Sequence, residues 1–298
     1  MVSEEMKRII EMIPQSAPFL EPSYDSRRMS LDFIGLAMPD VPGAKYSEVD
    51  VDGVKGEWIE FDEFDSNGLT MLYLHGGGYC SGSITSHRKL AANLGKSGHI
   101  RRSLIVDYKL APENPFPMGL SDCARSFEYL SNEIDCEKIL VAGDSAGGGM
   151  SLALTVDRQL KGLNKPDMLF LMSPWTDLTI SGESIARNKE IDPMLRIEDL
   201  NEMSDAYAGG RDKTDVLMSP LFANVTEFPP TYIQVGSREI VLDDSLRLKD
   251  KLEGADVDVK LDVFDDMFHV FQMCAMLAPE PDDALLRFGA WVKEKMGN

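Results

Sequence analysis

Ser145 sits in Gly143-Asp144-Ser145-Ala146-Gly147, with a glycine two residues before it and another two residues after. The segment follows the apolar run KILVA and precedes the small-residue stretch GGGMSLALTV. A strand, a sharp turn and a helix in that order would hold the hydroxyl at a strand tip, over a helix N-terminus that favours developing negative charge. The positions two away from the serine have room for almost no side chain, and glycine tolerates the unusual backbone angles. Nucleophilic attack on a carbonyl is the chemistry this offers. The bland alternative is a chance match in a glycine-rich turn. A second motif weakens it: His75-Gly76-Gly77-Gly78-Tyr79 follows the apolar LTMLYL. Its bare glycines expose backbone N–H groups, and Gly77 and Gly78, with Ala146 beside the serine, are the expected oxyanion donors. Glycine runs also cradle phosphates, but no GK[ST] or GxGxxG accompanies this one. His75 reads as a scaffold for the loop rather than a proton carrier.

A serine nucleophile needs a base. Of the four histidines, His75, His87, His99 and His269, only His269 follows Ser145. It stands in DDMFHVFQM, just past the strand-like VDVKLDVF, where a loop at the C-terminal edge of a sheet belongs. Alone, a histidine between Phe268 and Val270 and close to Phe271 reads as a core residue; its place in the chain reverses that preference. An acid that orients the imidazole is expected on the loop after the strand-like TYIQVG, in SREIVLDDS. Glu239 is preferred over Asp243, which, like Asp244, could also cap a helix. Asp265 and Asp266 share the loop of His269 and rank third.

These residues must be carried by a scaffold. Strand-like runs occur at YSEVDV, VKGEWIEF and LTMLYL, then at 103–106, 139–142, 168–172 and 231–235, and last at VDVKLDVF. Helix-like segments fall at 4–13, 120–130, 149–160 and 284–295. Alternation of this kind implies an α/β chain: about eight strands, a mostly parallel sheet and helices on both faces. Residues from about 180 to 216 break the rhythm, being long for a crossover. They are expected to form, with the first forty-odd residues, a helical cap over the site, within a single domain spanning 1–298.

Composition excludes several classes. The 298 residues are 43% hydrophobic and 27% charged, as in ordinary globular proteins. A net charge of -20 repels phosphate backbones and anionic lipid, so no nucleic-acid or membrane partner is expected. The N-terminus lacks an apolar signal core, and no apolar run approaches membrane-spanning length. The four cysteines, Cys80, Cys123, Cys136 and Cys274, form no CxxC pair. They read as mostly buried, reduced thiols of a cytoplasmic protein, with a disulfide between two of them left open. Neither HExxH nor enough histidine is present for a metal hydrolase, and no cofactor is expected.

HGGGY and GDSAGG together resemble the hormone-sensitive-lipase-like branch of the α/β-hydrolases, the bacterial family IV esterases. Asp107-Tyr108-Lys109-Leu110-Ala111-Pro112-Glu113 is similar to that family's DYRLAPE segment, with Lys109 in place of arginine. SPWTDL at 173–178 and IDPML at 191–195 are also similar to family segments, and the resemblance runs from about Tyr46 to the C-terminus. It implies the α/β-hydrolase fold, the chain order serine, acid, histidine, a cap from the N-terminus and the insertion, and hydrolysis of short- to medium-chain acyl esters without a cofactor. Most relatives have an aspartate-led DPLRD where this chain has Glu239-Ile240-Val241-Leu242-Asp243, so Glu239 stands at the acid position and Asp243 matches the second aspartate. A serine carboxylesterase acting on a small-molecule ester is therefore expected. The alternatives are a lactonase, amidase or deacetylase with the same triad, or a non-catalytic small-molecule receptor. The last strand, near 257–264, offers either a sheet edge for a homodimer or an edge protected by its alternating charges.

Overall fold

All eight strand-like runs form strands in the computed structural model, which describes residues 2–16, 21, 23–65, 68–133 and 136–297. They are β1 (Lys45–Val51), β2 (Val54–Glu60), β3 (Leu69–Leu74), β4 (Arg102–Val106), β5 (Lys138–Asp144), β6 (Met168–Met172), β7 (Thr231–Gly236) and β8 (Val259–Phe264). One sheet has the order β1-β2-β4-β3-β5-β6-β7-β8. β2 pairs antiparallel with β1 and β4, and the remaining pairings are parallel. Covering on both faces explains why LTMLYL in β3 and MLFLM in β6 are continuously apolar and wholly buried. Along β3 the side chains alternate: Met71 and Tyr73 join one core, Leu72 and Leu74 the other. β8 lies at the sheet edge and is buried only at Phe264.

The helices are α1 (Glu4–Ser16), α2 (Tyr24–Ala37), α3 (Ile84–Ser97), α4 (Met118–Glu133), α5 (Ala146–Leu160), α6 (Ser184–Arg187), α7 (Ile197–Ala208), α8 (Leu242–Glu253) and α9 (Pro279–Met296). α3 and α9 supply Leu90, Leu94, Phe288 and Trp291 to one face of the sheet. α4, α5 and α8 supply Phe127, Leu154 and Leu248 to the other. Each such side chain contributes about 1.5–3 kcal/mol through burial. α2 begins with a capping box in which Ser23 and Ser26 bond reciprocally. α1 buries Met6 and Ile13 against Phe264, Met267 and Phe268, beyond β8. The stretch between β6 and β7 carries α6 and α7, so the break in rhythm at 180–216 corresponds to inserted helices. Among the described residues no helix is long and apolar enough to cross a membrane. All four cysteines are unpaired in this structure; Cys80 and Cys123 are buried and the other two half-buried.

Candidate active site

Ser145 joins β5 to α5 with φ 51° and ψ −120°, a left-handed conformation that costs a non-glycine residue about 1–3 kcal/mol. The surroundings over-determine it. Its N–H donates to the Met172 carbonyl at 2.8 Å, and its carbonyl accepts from Trp175 N at 2.9 Å and Gly149 N at 3.1 Å. Tight packing explains the flanking glycines: a Cβ at Gly147 would drive into the carbonyls of Leu74 and His75, and one at Gly143 into that of Gly147.

His269 arrives from the loop after β8. Its Nε2 lies 2.8 Å from Ser145 Oγ and its Nδ1 2.7 Å from Glu239 Oε2. Burial resists a charged imidazole here. The Glu239 carboxylate outweighs it, helped by Asp192 and Asp144, and holds the His269 pKa above its ordinary value. Glu239 is fully buried, and its Oε1 accepts from Ser173 Oγ at 2.7 Å and Gly236 N at 2.6 Å. Ser173 Oγ in turn accepts from Val270 N at 3.1 Å, so one hydroxyl braces both the acid and the histidine loop.

The other carboxylates weighed from sequence lie elsewhere. Asp243 accepts from Ser184 N at 2.9 Å and Arg187 Nη2 at 2.7 Å, fastening the inserted α6. Asp265 and Asp266 are exposed. Asp244 accepts from Thr176 N at 2.6 Å and Asp177 N at 2.9 Å, and burial pushes its pKa up to about 7.

In the glycine loop, Gly77 and Gly78 have φ 112° and 65°. Gly76 N donates to Asp144 Oδ1 at 3.0 Å, so this N–H is already used. Asp144 also accepts from Tyr73 Oη at 2.5 Å and faces His87 Nε2 at 3.3 Å. Burial resists its ionisation, yet His87 and Tyr73 together hold its pKa below the usual carboxylate range. His75 stacks on Tyr108 with ring centroids 4.3 Å apart, and the Tyr108 hydroxyl donates to the His75 carbonyl at 2.6 Å. Burial lowers the His75 pKa to about 4, so its ring is neutral.

Sequence reasoning missed Ser173, Asp192, Asn188 and His87 as site supports. Asn188 Nδ2 donates to the Glu239 carbonyl at 2.8 Å, and Asp192 accepts from Ile240 N at 2.8 Å. Ser173 and Asp192 stand in SPWTDL and IDPML, the one signal that pointed to them.

Ser145 and His269 border two spaces. One is a cavity of about 290 Å³ walled by Ile9 and Ile13 of α1, Leu31 and Ile34 of α2, and Met194, Phe268 and Met273. The other is a niche of about 10 Å³.

A hydroxyl on a strained strand-to-helix turn, an imidazole and a buried carboxylate in one line, on a mostly parallel sheet, define a hydrolase of the α/β type. Comparison with known proteins agrees. The family described as alpha/beta hydrolase fold matches residues 71–273. An esterase of Acinetobacter venetianus is 35% identical over 260 residues, covering 87% of this chain and 85% of that protein. An acetyl-hydrolase of Streptomyces hygroscopicus is 31% identical over 299 residues, covering 100% and 99%. A crystal structure of an esterase from the bacterial hormone-sensitive lipase family superposes with a TM-score of 0.94 at 34% identity, covering 99% of each chain. The chain belongs to the α/β-hydrolase fold family, in its hormone-sensitive-lipase-like branch.

Proposed function

We propose that the protein is a serine carboxylesterase hydrolysing short-chain acyl esters through an acyl-enzyme. One observation carries the reading: Ser145 Oγ, both ring nitrogens of His269 and Glu239 Oε2 form an unbroken chain of contacts of 2.8 and 2.7 Å. Ser145 Oγ attacks the ester carbonyl as His269 Nε2 takes its proton. Glu239 keeps the other ring proton on Nδ1 and stabilises the imidazolium. The oxyanion is held by N–H groups of Gly77, Gly78 and Ala146; those of Gly76 and Ser145 are already engaged. The imidazolium then protonates the departing alkoxide. Water, deprotonated by His269, attacks the acyl-enzyme and releases the acid and Ser145.

The single domain carries a cap made of the N-terminal helices and the insertion between β6 and β7. Support comes from Ile9, Ile13, Leu31 and Met194, drawn from those segments, which wall the cavity; residues 1, 17–20 and 22 of this cap lie outside the described residues. Unpaired thiols support a reducing, cytoplasmic setting. The test is hydrolysis of p-nitrophenyl acetate. Ser145→Ala is expected to lower kcat/KM by about 10⁴-fold or more, and equal rates would overturn the reading.

A further inference from the structure

The two spaces beside Ser145 differ in size and in access to solvent. The niche is walled by Gly78, Trp175, Leu195, Leu200, Met203 and Val241, and each of those five side chains is at most 4% exposed. Its volume of about 10 Å³ is near that needed for one water-sized group, and hence for one methyl. The cavity that shares Ser145 and His269 with it is about thirty times larger. Its wall includes Met12, 67% exposed, and Leu277, 40% exposed, so it communicates with solvent.

An ester bound at Ser145 must send its acyl chain one way and its alkoxy chain the other. The alcohol leaves first, while the acyl group is still bonded to Oγ. An alcohol in the niche, whose wall side chains are buried, would have to leave past the acyl group still bonded to Oγ. The group that departs first therefore occupies the side that opens to solvent. Resting on the esterase reading above, we propose that the acyl end is acetyl-sized and fits the niche, that a longer apolar alcohol fills the cavity under α1 and α2, and that Met203 sets the acyl limit.

Met203, on α7, is the wall element placed to do this. Its Sδ lies where a Cβ on Gly78 would stand, so the thioether rests directly on the glycine loop. The wall behind is stiffer: Tyr79 stacks on Tyr207 at 4.1 Å between ring centroids and donates to the Trp175 carbonyl at 3.1 Å. Methionine is the flexible, removable part of that lining.

Hexyl acetate and ethyl hexanoate are isomers, so their comparison holds composition constant and moves only the carbonyl. The expected result is a kcat/KM for hexyl acetate at least about 100-fold above that for ethyl hexanoate, since each methylene refused by a pocket is worth roughly 10-fold or more. Met203→Ala is expected to raise ethyl hexanoate relative to hexyl acetate by at least about ten-fold, and Met203→Leu to restore the wild-type order. A wild-type enzyme that hydrolyses ethyl hexanoate as well or better overturns the assignment of the two ends, and this arm needs no variant to fold. An unchanged ratio in Met203→Ala overturns the role of Met203. Hydrolysis of neither isomer nor of p-nitrophenyl acetate overturns the esterase reading itself.

Discussion

Glu239 faces two tasks with its two oxygens. Oε2 meets the imidazole, while Oε1 is held by Ser173 and the Gly236 N–H, so the carboxylate has no freedom to turn away. In the proposed mechanism it fixes the tautomer of His269 and favours the imidazolium. Glu239→Gln is expected to lower kcat by about 10⁴-fold; Asp243→Asn, which loosens α6, should change it only a few-fold. The pH profile separates orientation from charge. In that mechanism His269 is a neutral base, so kcat/KM is expected to fall as pH drops through its pKa, which lies above the ordinary value near 6.5. Without the Glu239 charge, burial dominates, the pKa falls, and the acid limb of Glu239→Gln moves to lower pH. An acid limb that stays in place, or an Asp243→Asn enzyme that is the inactive one, would reassign the acid. The serine, the histidine and the glycine loop were legible in sequence because their chemistry depends on local backbone: a turn, a bare loop, an order along the chain. Ser173 and Asn188 were not, because they act on Glu239 from 66 and 51 residues away through contacts that only folding creates.

At the scale of elements, α8 docks on the loop after β6 through Asp244. That carboxyl is buried, with a folded pKa of about 7 against an ordinary 3.8. The sign follows from linkage: the folded state holds the proton more tightly, so this stabilisation is complete below the unfolded pKa and is lost as pH rises through the folded one. Between pH 5.5 and pH 8 the loss amounts to about 2 kcal/mol. Asp244→Asn mimics the protonated acid and keeps an acceptor for Thr176 and Asp177. Urea unfolding should therefore show wild type losing that stability relative to Asp244→Asn over this range, and parallel pH curves would refute it. The strands were readable as elements because central parallel strands are apolar along their whole length. α3 was not: ITSHRKLAANLGKS mixes charges with buried Leu90 and Leu94, and its role depends on α2 and α9 covering it. α1 was readable from its spacing, though not the fact that its buried face would meet Phe264 and Phe268. As part of the proposed cap, α1 walls the alcohol side. Deleting residues 2–16 is expected to raise KM for hexyl acetate by about ten-fold or more, with a smaller effect on kcat; an unchanged KM would remove α1 from the substrate path.

The whole molecule adds a long-range term that no single contact contains. Fifty acidic residues against thirty basic ones give a net charge of -20. The cavity itself is lined mainly by apolar side chains, so charge selection falls to the field outside it. That field extends about 30 Å at 0.01 M ionic strength and about 8 Å at 0.15 M. A neutral ester crosses it unaffected, while an ester carrying a carboxylate is depleted at the entrance in dilute buffer and recovers as salt screens the repulsion. Accordingly, kcat/KM for 4-acetoxybenzoate should rise roughly three- to ten-fold between these two ionic strengths, and that for p-nitrophenyl acetate should change less than about two-fold. Parallel responses of the two esters would show that the surface charge does not reach the site, leaving the acidity a matter of solubility alone. A rise confined to the anionic ester makes the acidic surface part of the selection: the field disfavours charged esters at the approach, and the apolar cavity then takes the alcohol chains of the neutral esters that remain.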